Sequence, residues 1–354
     1  MGNQDPKRIE IIDLYRNQKP IYEDGNLTLV RLESLTRKCL NELDKNDALV
    51  IIPVAPIEAH GNFLPIGADF IESILMLELI KETLKKERSD KHYTIIEAPG
   101  IPIGTGALRA VEGTLDIGHR AFRNTIIDFL DGLVRAGFKR FLIITVHHGM
   151  IHAYALEEAA DKIMKRYRKK DVRVASPVHW IAKTLYMDDP KETWSKLAEK
   201  LGQKPLSDEE LEAIKHDHHA SIMETCFMKK VNPDLVDPEY KTSGPIFDGI
   251  GNQLLGLLTS RYKYDHQGLA YNGNPSLTDN RDWYSLYVEK IKEIGLAFID
   301  ALYNKDLENF KPYLHSQIWQ FKFLKTNFKH YFIIPFIIFM IVLPWILFFL
   351  NIQT

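Results

Sequence analysis

"ALVIIPVAPIEAHGNFLPIGADFIESILMLELIKETLKKE", residues 48–87, decides the fold. Its opening, "ALVIIPVAP" (48–56), is short, β-branched and bounded by turn residues, which predicts a buried strand. Its end, from Phe70 onward, has the spacing of an amphipathic helix. Between them "IEAHGNFLPIGAD" (57–69) places Glu58, His60 and Asp69 in one Gly- and Pro-bearing loop. Two readings stand open. The loop holds a metal, or it is a polar turn whose Asp69 caps the following helix.

The same alternation continues outward. "YTIIEAPGIPIG" reads as a second strand, running into a Gly-rich loop, "GTGALRAVEGTLDIG". "HRAFRNTIIDFLDGLVRAG" has helical spacing, with Gly137 as C-cap. "FKRFLIITV" is another buried strand, ending at His147 and His148; a helix, "IHAYALEEAADKIMKRYRKK", and a strand, "VRVASPVHW", follow. Strands alternating with helices predict an α/β fold: a three-layer α/β/α sandwich with a mainly parallel central sheet. Functional groups in such sheets gather beyond the carboxyl ends of the strands. The Glu58 loop and His147 both lie there. Residues 183–215 interrupt the pattern with a charged, helix-rich insert, read either as a lid over the site or as a solvated surface hairpin. It carries a capping box, Ser207 with Glu210, and leads into "HDHHASIMETCF" (216–227).

Composition narrows the function classes. A formal charge of −2 over 354 residues gives no electrostatic case for nucleic acid. The two cysteines, Cys39 and Cys226, are far apart and in no CxxC spacing. They suggest a reducing compartment and no thiolate metal site. The N-terminus lacks the apolar region of a secretory signal, and Pro6 stands where a myristoylation pattern wants Ser or Thr. At the other end "YFIIPFIIFMIVLPWILFFL" (331–350) contains no charged residue. At about 1.5 Å per residue a helix of that length crosses a bilayer core of roughly 30 Å. Lys322, Lys325 and Lys329 precede it, so the positive-inside rule keeps the large N-terminal part on the cytoplasmic side. The expected organisation is a globular domain over 1–310, a juxtamembrane linker over 311–330, and a single C-terminal membrane anchor over 331–350.

By composition the candidate ligands are Glu58, His60, Asp69, His147 and Glu224, with His219 nearby. Two imidazoles and three carboxylates suit a pair of Zn²⁺, Mn²⁺ or Fe²⁺ ions better than Ca²⁺, which prefers oxygen alone. Such a pair lowers the pKa of water and is typical of hydrolases.

"VIIPVAPIEAHGNFLPIGAD" resembles the opening motif of the creatininase family of amidohydrolases, whose pattern is close to PxGxxExHGxHLPxxTD. "GFKRFLIITVHHG" is similar to the family's strand followed by N-x-H-G-G-N. "HHASIMET" is similar to H-A-G-x-x-E-T, and "NPDLVD" and "GNPS" follow in the family's order. The resemblance covers roughly residues 25–305. It implies two divalent transition-metal ions, one ligated by Glu58 and His147, the other by His60 and Glu224, with Asp69 bridging. It also implies that His219 moves protons between attacking water and leaving nitrogen. Creatinine-hydrolysing members carry a Glu two residues after the His of the second motif, where this chain has Gly149; others use the Glu of the E-T pair, here Glu224. Phe63, Ala68, Thr145, Val146, His148 and Met150 depart from the family pattern, and none is a proposed ligand.

The expected activity is therefore metal-dependent hydrolysis of a small, non-peptide or cyclic, C–N amide bond. The competing expectations are an idle, membrane-tethered scaffold, favoured by the altered NxHGGN motif, and a small-peptide metalloprotease. The resemblance further implies a homo-oligomer.

Overall fold

The computed structural model describes residues 19–109, 111–186, 190–247 and 269–307. Its strands are β1 (Ile21–Asp24), β2 (Leu27–Arg31), β3 (Leu49–Pro53), β4 (Tyr93–Glu97), β5 (Arg140–Ile144) and β6 (Arg173–Ala175). They form one sheet in the order β1-β2-β4-β3-β5-β6. Only the β1–β2 pair is antiparallel. The rest is parallel, with Val50 of β3 opposite Ile96 on one side and Phe141 on the other. Every residue of β3, β5 and β6 is buried, as expected of parallel strands covered on both faces.

The helices of the described residues are α1 (Arg37–Glu42), α2 (Ala68–Glu87), α3 (His119–Arg135), α4 (Met150–Arg166), α5 (Val178–Tyr186), α6 (Pro190–Lys200), α7 (Asp208–Lys215), α8 (Ile222–Val231) and α9 (Trp283–Asn304). Side chains alternate across a strand, and the two sheet faces accordingly feed two cores. Val50, Ile52, Phe141 and Ile143 pack with Phe122 and Leu130 of α3 and Leu156 and Ala159 of α4. Leu49, Ile51, Leu142 and Ile144 pack with Leu77 and Leu84 of α2 and Phe298 and Leu302 of α9. Helices thus pack on both faces of a mixed, mostly parallel sheet, in keeping with the expected α/β fold.

Three expectations are corrected or relocated. The insert over 183–215 is not a solvated hairpin. Trp194 of α6 is fully buried and meets Tyr287 of α9 edge-on, 4.9 Å between ring centres. Leu211 and Ile214 of α7 share that third core with Trp283 and Phe227. Apolar burial of this size holds the insert in place. Its capping box does form: Ser207 Oγ accepts from the Glu210 amide, and Glu210 accepts from the Ser207 amide. Asp69 is not an N-cap, because Gly67 occupies that position and Asp69 sits inside the first turn of α2. The linker (311–330) and anchor (331–350) lie outside the described residues. Among the described residues no helix is long and apolar enough to cross a membrane.

Candidate metal centre

β4 and β5 flank β3 on opposite sides, so the chain reverses direction in the sheet at the carboxyl end of β3. Loops diverge at such a switch point and leave a crevice for ligands. Glu58 and His60 leave β3 into it, and Asp69 enters it from the first turn of α2. His147 follows β5. His219 arrives from the α7–α8 connection, and Glu224 from the first turn of α8. All six residues predicted from sequence thus reach one place, from three separate parts of the chain.

Their reactive atoms converge. His147 Nδ1 lies 3.0 Å from Glu58 Oε2 and 3.1 Å from Asp69 Oδ2. His60 Nε2 lies 3.3 Å from Asp69 Oδ1 and 3.6 Å from Glu224 Oε2. Two sets, Glu58–Asp69–His147 and His60–Asp69–Glu224, each offer ligand atoms within 4.8 Å of one another, as does Glu58–His60–His219. Asp69 belongs to both of the first two, with one oxygen toward each. The surrounding backbone sets the orientations. His60 Nδ1 meets the Glu58 carbonyl at 2.8 Å, which directs Nε2 inward. Such a bond fixes the tautomer of a ligating histidine. Leu108 donates its amide to Glu58 Oε1 at 2.6 Å, leaving Oε2 facing the cluster.

The cluster is buried: His60 and Asp69 are 0% exposed. Burial alone would lower the His60 imidazole, but Asp69 and Glu224 raise it to about 10. Burial lifts the Glu224 carboxyl to about 8. Asp69 is held well below its ordinary value, against burial, by His60 and His147. Cationic charge is what this pocket needs. Glu58 Oε2, both Asp69 oxygens and His60 Nε2 nevertheless receive no well-directed hydrogen bond. Buried carboxylates left in that condition are costly. Inward-facing oxygen and nitrogen donors of this type suit divalent transition metals, and the residues fit the two ions implied by the family resemblance.

His219 stands beside the cluster, its ring 4.3 Å from that of His60. Its Nε2 meets the Ala59 carbonyl at 2.8 Å, and burial lowers its pKa to about 4, so the ring is neutral.

Sequence reasoning missed several contributors. The Leu108 amide could not be found from residue type, because backbone groups carry no sequence signal. Thr114 Oγ1 accepts from the Ala59 amide at 3.1 Å, tying the Gly-rich loop to the loop that bears His60. Glu72, one helical turn beyond Asp69, is fully buried with both oxygens unpartnered. Burial, Glu224, Asp69 and Asp217 raise its pKa well above the usual carboxylate range. Its position on the Asp69 face of α2 was the available signal. Gly149 has a packing reason: a Cβ there would sit 2.5 Å from His147 Nε2. A family-type Glu at 149 does not fit beside this His147.

A comparison with curated proteins finds no match. Among solved structures, a creatinine amidohydrolase (creatininase) is 16% identical, with 75% of this chain and 95% of that chain covered and a TM-score of 0.47. A putative creatinine amidohydrolase from Bacteroides fragilis NCTC 9343 is 18% identical, with 77% and 96% covered and a TM-score of 0.47. A creatininase described as the Mn form is 16% identical, with 75% and 96% covered and a TM-score of 0.47. A mutant creatininase described as of Zn–Zn type is also 16% identical, with 77% and 97% covered and the same score. The model of the family described as "Creatininase: Creatinine amidohydrolase" matches residues 33–282, well over half of the sequence, and the chain therefore belongs to the creatininase family.

Proposed function

We propose that this protein hydrolyses a C–N amide bond in a small, non-peptide substrate, using two divalent transition-metal ions, Zn or Mn, with Fe as the third candidate. Glu58, Asp69 and His147 would hold one ion; His60, Asp69 and Glu224 would hold the other, with Asp69 shared. Such ions, when bound, supply Lewis acidity toward a carbonyl oxygen and lower the pKa of water. The chain's own residues do the rest. The Glu58 carbonyl fixes the His60 tautomer, and the Leu108 amide fixes Glu58. His219 donates its Nε2–H to the Ala59 carbonyl, which fixes its ring beside the cluster, and the imidazole would take a proton from the attacking water. The same ring would deliver that proton to the leaving amine. The surrounding burial excludes bulk water.

The observation that carries this reading is the set of inward-facing, unpartnered donor atoms on Glu58, His60 and Asp69. A screen of small amides beside short peptides, with Mn²⁺ or Zn²⁺ supplied, tests it. Metal-dependent amide hydrolysis, lost in Asp69→Asn, is expected. Metal binding without turnover of any amide contradicts it and favours the idle scaffold; turnover of peptides alone favours the protease.

The organisation expected from sequence completes the proposal. The catalytic domain spans 1–310 and faces the cytoplasm, 311–330 is a linker, and 331–350 crosses the bilayer. Its support is the uncharged run itself and the lysines before it. Release of the protein from membranes by alkaline carbonate would contradict the anchor. A homo-oligomer is expected as well, and light scattering measures it.

A further inference from the structure

A cavity of about 90 Å³ lies on the α2 side of the sheet, between α2, α5 and α9 at the carboxyl end of β5. Met76, Ile80, Ile144, Ile181, Phe227 and Ile299 are typical of its wall. None of Glu58, His60, Asp69, His147, His219 or Glu224 lines it. It does adjoin the metal centre, because His148 and Met223 are wall residues and follow or precede His147 and Glu224 in the chain. We infer that this cavity is a second binding site, which takes the hydrocarbon chain of a neutral, single-chain amphiphile.

Two observations define the ligand. The first is wall chemistry: only Thr83, Thr145, His148 and Lys292 interrupt an otherwise apolar lining. Lys292 is already answered by Glu289 at 2.8 Å and Glu87 at 3.3 Å. Among the described wall residues no unanswered cation therefore awaits a carboxylate, and a neutral head group fits better than an acid. The second is Gly295, a wall residue in the interior of the 22-residue helix α9. Glycine there weakens a helix relative to alanine. Its backbone does not have positive φ. No neighbour forbids a side chain either, since an added Cβ meets nothing within 4 Å. What glycine preserves at this position is open space in the cavity.

The inference does not depend on the amidohydrolase reading, because its readout is neither metal content nor turnover. Calorimetric titration of the purified full-length chain with 1-butanol through 1-decanol, and with octanoate, tests it. The expected result is saturable binding of one alkanol per chain, tightening about fourfold per added CH₂ until the cavity is filled, with octanoate weaker than 1-octanol. Gly295→Leu should weaken 1-octanol at least tenfold while keeping the wild-type thermal midpoint or raising it. Val288→Phe narrows the same cavity and serves if Gly295→Leu does not fold. Absence of saturable binding, or equal binding by a folded cavity-filling variant, would overturn the inference.

Discussion

Glu158 on α4 and Asp69 on α2 are both buried carboxylates on helices that cover opposite faces of one sheet, yet their surroundings differ in kind. Glu158 is answered by two cations, Arg123 Nη1 at 3.1 and 3.2 Å and Lys162 at 3.3 Å, with His119 Nε2 at 3.5 Å. Its charge is answered within the protein. Among the described residues Asp69 meets two imidazoles, which face Glu58 and Glu224 as well, and neither of its oxygens receives a well-directed hydrogen bond. A structural ion pair closes on itself. A ligand set converges on a shared point and leaves its atoms waiting there, and the difference separates stability from function within one domain.

The comparison can be broken at several places. The largest expected effect is on turnover. His219→Ala should lower kcat by roughly 100-fold or more, with metal content unchanged; loss of metal in that variant would make His219 a ligand and not a proton carrier. Next, Gly149→Ala should push the His147 ring from its place. Metal affinity should fall by about 10- to 100-fold, as read by competition with a chelator. Unchanged affinity would show that His147 can yield without consequence.

Effects on folding should run in opposite directions in the two regions. Burial alone would raise the Glu158 pKa, but His119 and Arg123 hold it at about 2, below its ordinary 4.5. A carboxylate with a depressed folded-state pKa stabilises fully above its unfolded value. Its contribution is lost as pH falls from about 4.5 through about 2. Glu158→Gln should therefore cost about 3 kcal/mol at pH 7. It should also flatten the acid limb of a denaturation series in that window. Glu72→Met removes a buried carboxyl with no partner, and should stabilise the metal-free protein by about 1–2 kcal/mol. Destabilisation by that change would mean that Glu72 has a partner in the folded state. The smallest effect, about 1 kcal/mol, is expected for Ser207→Ala, through loss of the capping box.

Much of this was legible in the chain. The apolar runs of β3 and β5 are continuous, as expected of strands buried on both faces, and the helices between the strands have clear spacing. The six candidate residues were picked out by residue type together with the resemblance to the creatininase family's motifs, since isolated carboxylates and imidazoles usually have structural tasks, and the fold brings them together. The β1–β2 hairpin was not anticipated, although "EDGN" offered a signal. Asp24-Gly25 precedes a strand, and Gly25 has a φ of +62°. The insert was misread because Trp194 and Leu211 are sparse among charges, and only the tertiary fold brings them against Tyr287 and Trp283. Leu108 contributes through its amide, which any residue but proline could supply.

The central claim is that Asp69 joins two metal sites. Elemental mass spectrometry of the purified full-length chain, after exposure to Mn²⁺ or Zn²⁺ and removal of free ions, tests it most directly beside Asp69→Asn. The account predicts about two ions per chain in the wild type, and loss of both in the variant. No stoichiometric metal in the wild type, or two ions retained by Asp69→Asn, would contradict it.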